Sequence, residues 1–238
     1  MRVVFLGKHK RSARRLLDGM DAVIVHTRQG AELLGDGACV HVIPHGAFEH
    51  LTHLPDERPL PPELAAVEGP VVLCFGVVRP YKGVDVLLEA FRSVPGAELW
   101  VVGRHLGVSL EASTHVRLVP RYVSDNELPA FFRRADLIVL PHRAVDVSGV
   151  LFTGLAFGKP MILSDVGGFR EVVEEHGAGR LVPPGDPAAL SAAIAELLAD
   201  PTERKRLAER AQAAAAGPYS WDTVAARTQA VYDQVLSP

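Results

Sequence analysis

The stretch from Asp146 to Val173, DVSGVLFTGLAFGKPMILSDVGGFREVV, leaves this chain few architectures. Before it, LIVLP at 137–141 reads as a buried strand that ends at Pro141 and His142. Ser148 and Gly149 open an apolar segment, Val150 to Phe157, which Gly158-Lys159-Pro160 stops. Met161 to Ser164 is a second short strand, followed by a Gly167-Gly168 turn and a new helix at Arg170. Strand, turn, helix, strand, turn, helix predicts a parallel sheet covered by helices. Ligands of such sheets gather where strand C-termini meet helix N-termini. Ser148 and Gly149 stand at such a point, where unpaired N–H groups make an anion site and a glycine lets a phosphate come close.

The same alternation runs from Pro70 onward. Val71 to Phe75 is a strand and Gly76 to Gly83 a loop, after which Val84, Leu87, Leu88 and Phe91 share one helix face. Strands follow at Glu98 to Val102, Val116 to Val119, Leu137 to Leu140 and Gly179 to Val182. Ser124 and Glu127 form a capping box ahead of Leu128, Phe131 and Phe132. Asp186-Pro187 and Asp200-Pro201 start two further helices. Ser220-Trp221 starts the terminal helix, with Trp221, Val224, Ala225, Thr228, Val231, Tyr232 and Val235 on one side. Residues 70–238 are therefore expected to form one Rossmann-like α/β domain.

Ahead of it the pattern is thinner. Strands are expected at 2–7, Asp21 to Val25 and 41–43, with a helix from Gln29 to Leu34. Two strand–helix fragments are too little for a core of their own, so residues 1–46 read as the remnant of a domain whose middle is missing. Residues 47–69, rich in Pro, His, Asp and Glu without a steady period, read as a linker.

Composition narrows the function classes. With 238 residues, 48% hydrophobic and 22% charged, the chain has the makeup of a soluble globular protein. A net charge of −3 carries no signature of nucleic-acid binding. No apolar run approaches the ~18 residues of a membrane span. Lys8, Lys10, Arg11, Arg14 and Arg15 form a basic segment that reads either as a solvated helix face or as a contact with anionic lipid. Two cysteines make no disulfide framework and fit a cytoplasmic protein, with a place at the inner face of the membrane if the basic segment touches lipid. His41, His45, His50 and His53 lie close together, but no carboxylate or cysteine joins them at zinc spacing, so no metal is expected.

Arg79 and Lys82 stand three apart in the loop FGVVRPYKG, just before a helix N-terminus. Two cations beside free N–H groups suit a diphosphate better than a single carboxylate; the alternative by spacing alone is that both merely solvate a loop. This loop, with LWVVG, RYVSDNELPAFFRRADLIVLP, SGVLFTGLAFGKPMILSDVGGFREVV and AGRLVPPGDPAALSAAIAELLADP in that order, resembles the retaining glycosyltransferases of the group 1 type (family 4). These use two facing Rossmann domains, the arrangement called GT-B. The resemblance covers roughly residues 20–238 and implies that residues 70–238 are the C-terminal, nucleotide-sugar-binding domain. It also implies that the terminal helix crosses back to the first domain.

Carried over by position, the resemblance gives Gly76, Arg79 and Lys82 to the phosphates, and Arg121, Tyr122 and Val123 to the base, largely through backbone groups. It gives the N–H groups of Ser148, Gly149 and Val150 to the diphosphate. The family's two glutamates, eight positions apart, fall on Val145 and Thr153; Asp146 replaces the first only with a one-residue slip. Thr153 is left with an uncharged version of the ribose contact. The acceptor-side residues have no counterpart, so no catalytic residue is named. The expected function is hexosyl transfer from a nucleotide-diphosphate sugar to an acceptor hydroxyl with retention, with the acceptor domain supplied by a partner chain or a homo-oligomer. The alternative is a catalytically inactive module that binds a nucleotide or a protein partner.

Overall fold

Short runs rich in β-branched residues and leucine make two all-parallel sheets in the computed structural model, which describes residues 3–6, 17, 19–35 and 39–237. The first has the order β1 (Val3–Leu6), β2 (Ala22–Val25), β3 (Val40–Val42). Helix α1 (Arg28–Leu34) joins β2 to β3, and the Thr27 side chain caps it by accepting from the Gly30 amide at 2.9 Å. The basic segment Lys8 to Arg15 lies outside the described residues.

The second sheet has the order β6-β5-β4-β7-β8-β9. Its strands are β4 (Val71–Phe75), β5 (Glu98–Val102), β6 (Val116–Val119), β7 (Leu137–Leu140), β8 (Met161–Ser164) and β9 (Arg180–Val182). Alternate side chains point to opposite faces, as strand geometry demands. Val72, Cys74, Leu99, Val101 and Val139 pack under α3 (Val84–Phe91) and α7 (Pro187–Ala199). Leu73, Trp100, Ile138, Leu140 and Leu163 pack under α4 (Leu128–Arg134), α5 (Gly149–Ala156) and α6 (Gly168–His176), with Ala211 and Ala214 of α8 (Pro201–Ala216) behind them. This is the expected Rossmann-like α/β fold with helices on both faces of one parallel sheet. From β4 the chain builds outward through β5 and β6, then returns to lay β7 on the other side of β4. The strand order reverses at the C-terminal ends of β4 and β7, the position where such sheets bind ligands in the crevice.

Three details differ from the sequence reading. Residues 47–69, expected as a linker, carry a 3₁₀ turn at Glu49–Thr52 and α2 (Pro62–Ala65), and Ala47, Leu51 and Leu64 are buried in the main core. The anchors follow no helical or strand period, which is why composition alone reads as a connector. Helix α4 starts at Leu128, later than the capping box suggests. Glu127 does return to the Ser124 amide at 3.1 Å, but the Ser124 hydroxyl donates to the Glu127 carboxylate instead of accepting from the helix. On the last helix, α9 (Trp221–Leu236), Val224 and Val231 are buried against Ala22 and Ile24 of β2 and Ile43 just after β3, while Ala225 and Trp221 are exposed. The terminal helix thus crosses back to the first sheet. Trp221 lies flat over Gly46, where a Cβ would stand 2.5 Å from the indole.

Candidate functional site at the crevice between β4 and β7

Gly76 ends β4 with φ 103°, and its amide donates to Val102 of β5. Val78 pairs with the loop after β5, accepting from Leu106 and donating to Arg104, both at 2.8 Å. Arg79 then opens a single 3₁₀ turn, Pro80–Lys82, and Gly83 closes it in the left-handed conformation, φ 65°. A Cβ on Gly83 would lie 1.9 Å from the Pro141 carbonyl oxygen, so conformation and space both require glycine. The Arg143 amide donates to the Tyr81 carbonyl at 2.8 Å, and the Arg143 guanidinium grips Asp85 at 2.7 and 2.5 Å. The loops after β4 and β7 are therefore fixed side by side.

On this frame sit groups with no internal partner. Arg79 is exposed, and its guanidinium makes no hydrogen bond or ion pair among the described residues. Lys82 is half-buried without a carboxylate partner, and burial pushes its pKa below the ordinary lysine value, with the Cys74 thiol opposing weakly. Its ammonium lies 5.9 Å from the centre of the Tyr81 ring. Across the crevice, Ser148 is the N-cap of α5 but its side chain caps nothing. Its hydroxyl is buried and unbonded. No acceptor among the described residues meets the Gly149 and Val150 amides at the start of α5, and Gly149 itself is exposed. A Cβ on Gly76 would lie 3.2 Å from a Val150 methyl, so these two candidate residues face one another.

Gly76 and Val150 thus meet where the loop after β4 adjoins the start of α5, with Arg79 and Lys82 on the former and Ser148 and Gly149 on the latter. Arg121, Tyr122 and Val123 follow β6, two strands away from β4. Arg121 binds Glu127 at 2.7 and 3.1 Å and its own neighbour's carbonyl, Tyr122 O, at 2.9 Å. That guanidinium is the main reason the Glu127 carboxyl is held down to about 2. Val123 is buried in the core and Tyr122 is 68% exposed. Arg121 therefore braces this loop, while the Tyr122 ring stays exposed.

Thr153 does not join the cluster. It is buried within α5, and its hydroxyl donates to the Gly149 carbonyl one turn earlier at 2.9 Å. In this structure the hydroxyl proposed for the ribose is directed along its own helix. Asp146 is also committed, since its carboxylate accepts from the Thr27 hydroxyl at 2.8 Å. The Gly167–Gly168 turn is held by close approach: Cβ atoms there would stand 1.9 Å from the Val145 carbonyl and 2.7 Å from a Thr27 methyl.

Three residues have contacts that were not evident in the sequence. His142, 1% exposed, lies beside this loop with neither ring nitrogen in a well-formed hydrogen bond. Burial, assisted by the nearby Lys82 charge, pushes its imidazole down to about 3. Its only signal was a polar residue placed directly after a buried strand. Thr27 and Glu171 are the others, and they tie the sheets together. The Glu171 carboxylate accepts from the Arg28 and Gln29 amides at 3.0 and 3.2 Å. Beside them a cleft of about 610 Å³ opens between the two parts, lined by Arg28, Gln29, Arg143, Asp165 and Arg170 among others.

This geometry agrees with what the chain is similar to. Residues 57–214 match the family model of the glycosyl transferases group 1. The chain is 34% identical to a D-inositol 3-phosphate glycosyltransferase of Xylanimonas cellulosilytica over 90% of its own length and 57% of that protein's. It is 34% identical to a phosphatidyl-myo-inositol mannosyltransferase of Mycobacterium leprae over 74% of its length and 50% of the relative's. The chain spans about half the length of the curated relatives it matches. Among solved structures, Anabaena HepE in complex with UDP superposes with a TM-score of 0.80, at 19% identity, over 98% of this chain and 71% of that one. A sucrose-phosphate synthase from Thermosynechococcus elongatus gives 0.77 at 24% identity over 93% and 60%. With the family model matched over more than half its length, the chain belongs to the group 1 glycosyltransferases.

Proposed function

We propose that this chain holds a nucleotide-diphosphate sugar in the crevice between β4 and β7 and serves as the donor-binding part of a retaining hexosyltransferase. The observation that carries this reading is a set of polar groups without internal partners on two adjoining segments. Arg79 and Lys82 lie on the loop after β4, the Gly149 and Val150 amides and the buried Ser148 hydroxyl lie at the start of α5, and Gly76 abuts Val150 where the two segments meet. Cleaving the sugar–phosphate bond releases a nucleoside diphosphate whose charge grows in the transition state. Fixed cations and a helix N-terminus stabilise that growing charge without reorganising. They also supply the neutralisation a divalent ion would otherwise give, so the site is expected to work without metal.

The relatives narrow the choice of donor. One is named a GDP-mannose-dependent mannosyltransferase, and the HepE structure holds UDP. UDP- and GDP-hexoses are therefore the first donors to test. The acceptor is expected to come with a partner chain or a second copy, as the family resemblance implies; among the described residues the first part brings His26, Thr27, Arg28, Gln29 and Glu32 to the clefts that face the second sheet. Calorimetric titration with UDP, GDP, ADP and TDP, then with the matching sugars, tests the reading. The expected result is selective micromolar binding that survives a chelator and falls about tenfold or more in Arg79→Ala and Lys82→Ala. Affinity unchanged in both variants would overturn it.

One observation favours a second reading, that of a non-catalytic nucleotide-binding module. Thr153 stands where the family carries an acid, and its hydroxyl is already bonded inside α5. Release of free sugar from a bound sugar nucleotide, even slow, separates the two.

A further inference from the structure

We propose that His142 is the positioning residue for Lys82, a buried neutral acceptor that aims the ammonium at the diphosphate while leaving it charged. The inference rests on the donor-site reading above and deepens it.

Lys82 and His142 flank the same aromatic ring. The Lys82 ammonium lies 5.9 Å from the Tyr81 ring centre, and the His142 ring packs edge-on to Tyr81 at 6.2 Å. The backbone fixes this arrangement, because Gly83 abuts the Pro141 carbonyl and the Arg143 amide bonds Tyr81. Phe169 closes the other side of the imidazole at 5.1 Å, so the ring is confined.

Within this enclosure no carboxylate pairs with Lys82 among the described residues, and its other titratable neighbour is the buried Cys74 thiol. A carboxylate would orient the ammonium but cancel its charge. A neutral imidazole nitrogen accepts one N–H and leaves the full charge for the ligand. His142 has that capacity in reserve: the Leu140 backbone stands close to the ring without a well-formed bond to it, and both nitrogens are buried, so at least one is left without a partner. Unbonded buried polar atoms are costly and uncommon. A bond from Lys82, drawn into place by an anion, satisfies one of them. The depressed basicity of His142 agrees, because it stays neutral beside the lysine throughout the physiological range.

The test is a double-mutant cycle read by calorimetry with UDP, GDP and inorganic pyrophosphate. His142→Ala is expected to weaken binding about fivefold or more, and by less than about twofold when Lys82 is already alanine. His142→Gln, neutral with an acceptor oxygen, is expected to restore affinity to within about twofold, whereas His142→Phe, which fills the space without an acceptor, is not. Should His142→Ala fail to fold, the Gln and Phe variants carry the comparison. Equal losses with and without Lys82, or equal rescue by Phe and Gln, would overturn the proposal and leave the donor site standing. Failure of the unaltered chain to bind any of the three probes would overturn the donor site and this inference with it.

Discussion

The Thr27 hydroxyl and the Asp146 carboxylate, 119 residues apart in sequence, meet at 2.8 Å between the two sheets. The same hydroxyl accepts from the Gly30 amide, so one side chain both caps α1 and ties it to the loop that leads into Ser148. Glu171 reinforces the tie by receiving the next two amides of α1. The donor-site loop and the first sheet are therefore mechanically joined at one short helix.

Thr27→Val removes both bonds at once. A lost N-cap costs about 1 kcal/mol, and a hydrogen bond to a charged group about 1.5–3 kcal/mol. Thr27→Ser keeps both oxygen roles and is expected to stay within about 0.5 kcal/mol of the original. Chemical denaturation of Thr27→Val, Asp146→Ala and the double variant checks the pairing. A coupling energy on the order of 1 kcal/mol is expected, and additive losses would show that the contact contributes nothing.

Gly83 supplies a sharper geometric test. Alanine there meets the Pro141 carbonyl at 1.9 Å and must hold φ 65°, so the loops after β4 and β7 have to separate. Gly83→Ala should lose several kcal/mol of stability and about tenfold or more in nucleoside-diphosphate affinity. Gly96 has a similar φ of 73° with nothing within 4 Å. Gly96→Ala should cost only about 1–2 kcal/mol and leave affinity unchanged.

Much of the second sheet could be read from sequence because β4, β5, β7 and β8 are buried on both faces and appear as unbroken apolar runs. The sequence positions of the proposed anion site were legible too, since Gly76, Gly83, Arg79 and Lys82 all fall at a strand-to-helix turn. What stayed hidden depends on distance or on side-chain direction. Residues 47–69 look like a connector because Ala47, Leu51 and Leu64 reach the core without any period. Ala225 fits an apolar stripe, yet the crossing of α9 over a sheet of only three described strands leaves it exposed. His142 gave almost no signal, since nothing local shows that both nitrogens would be buried without a well-formed bond.

Lys82 makes donor affinity depend on pH with a defined sign. Burial lowers its pKa in the free chain, with Cys74, His142 and Tyr81 as the titratable neighbours, while a bound diphosphate raises it. Binding therefore takes up a proton once the pH exceeds the lysine pKa of the free site, and affinity falls as pH rises further. The folding term has the opposite trend. The penalty for burying the charged lysine is fully present below its folded pKa and is relieved as pH climbs toward the unfolded value. Titrations above pH ~8, clear of the phosphate pKa of about 6, should show weakening with pH. The effect should disappear in Lys82→Arg, whose guanidinium does not titrate there.

Thr153 decides whether the ribose contact survives without an acid. Its hydroxyl is directed along α5 to the Gly149 carbonyl, and the residue is 5% exposed. A threonine bonded one turn back along its own helix contributes little to that helix, because the carbonyl already has a backbone partner available. Thr153→Val keeps the shape and removes only the hydroxyl. Stability should change by less than about 1 kcal/mol and nucleotide affinity by less than about twofold. A tenfold loss of UDP or GDP affinity in Thr153→Val, with none for inorganic pyrophosphate, would instead place the hydroxyl on the ribose and require the side chain to turn toward the crevice when the nucleotide binds.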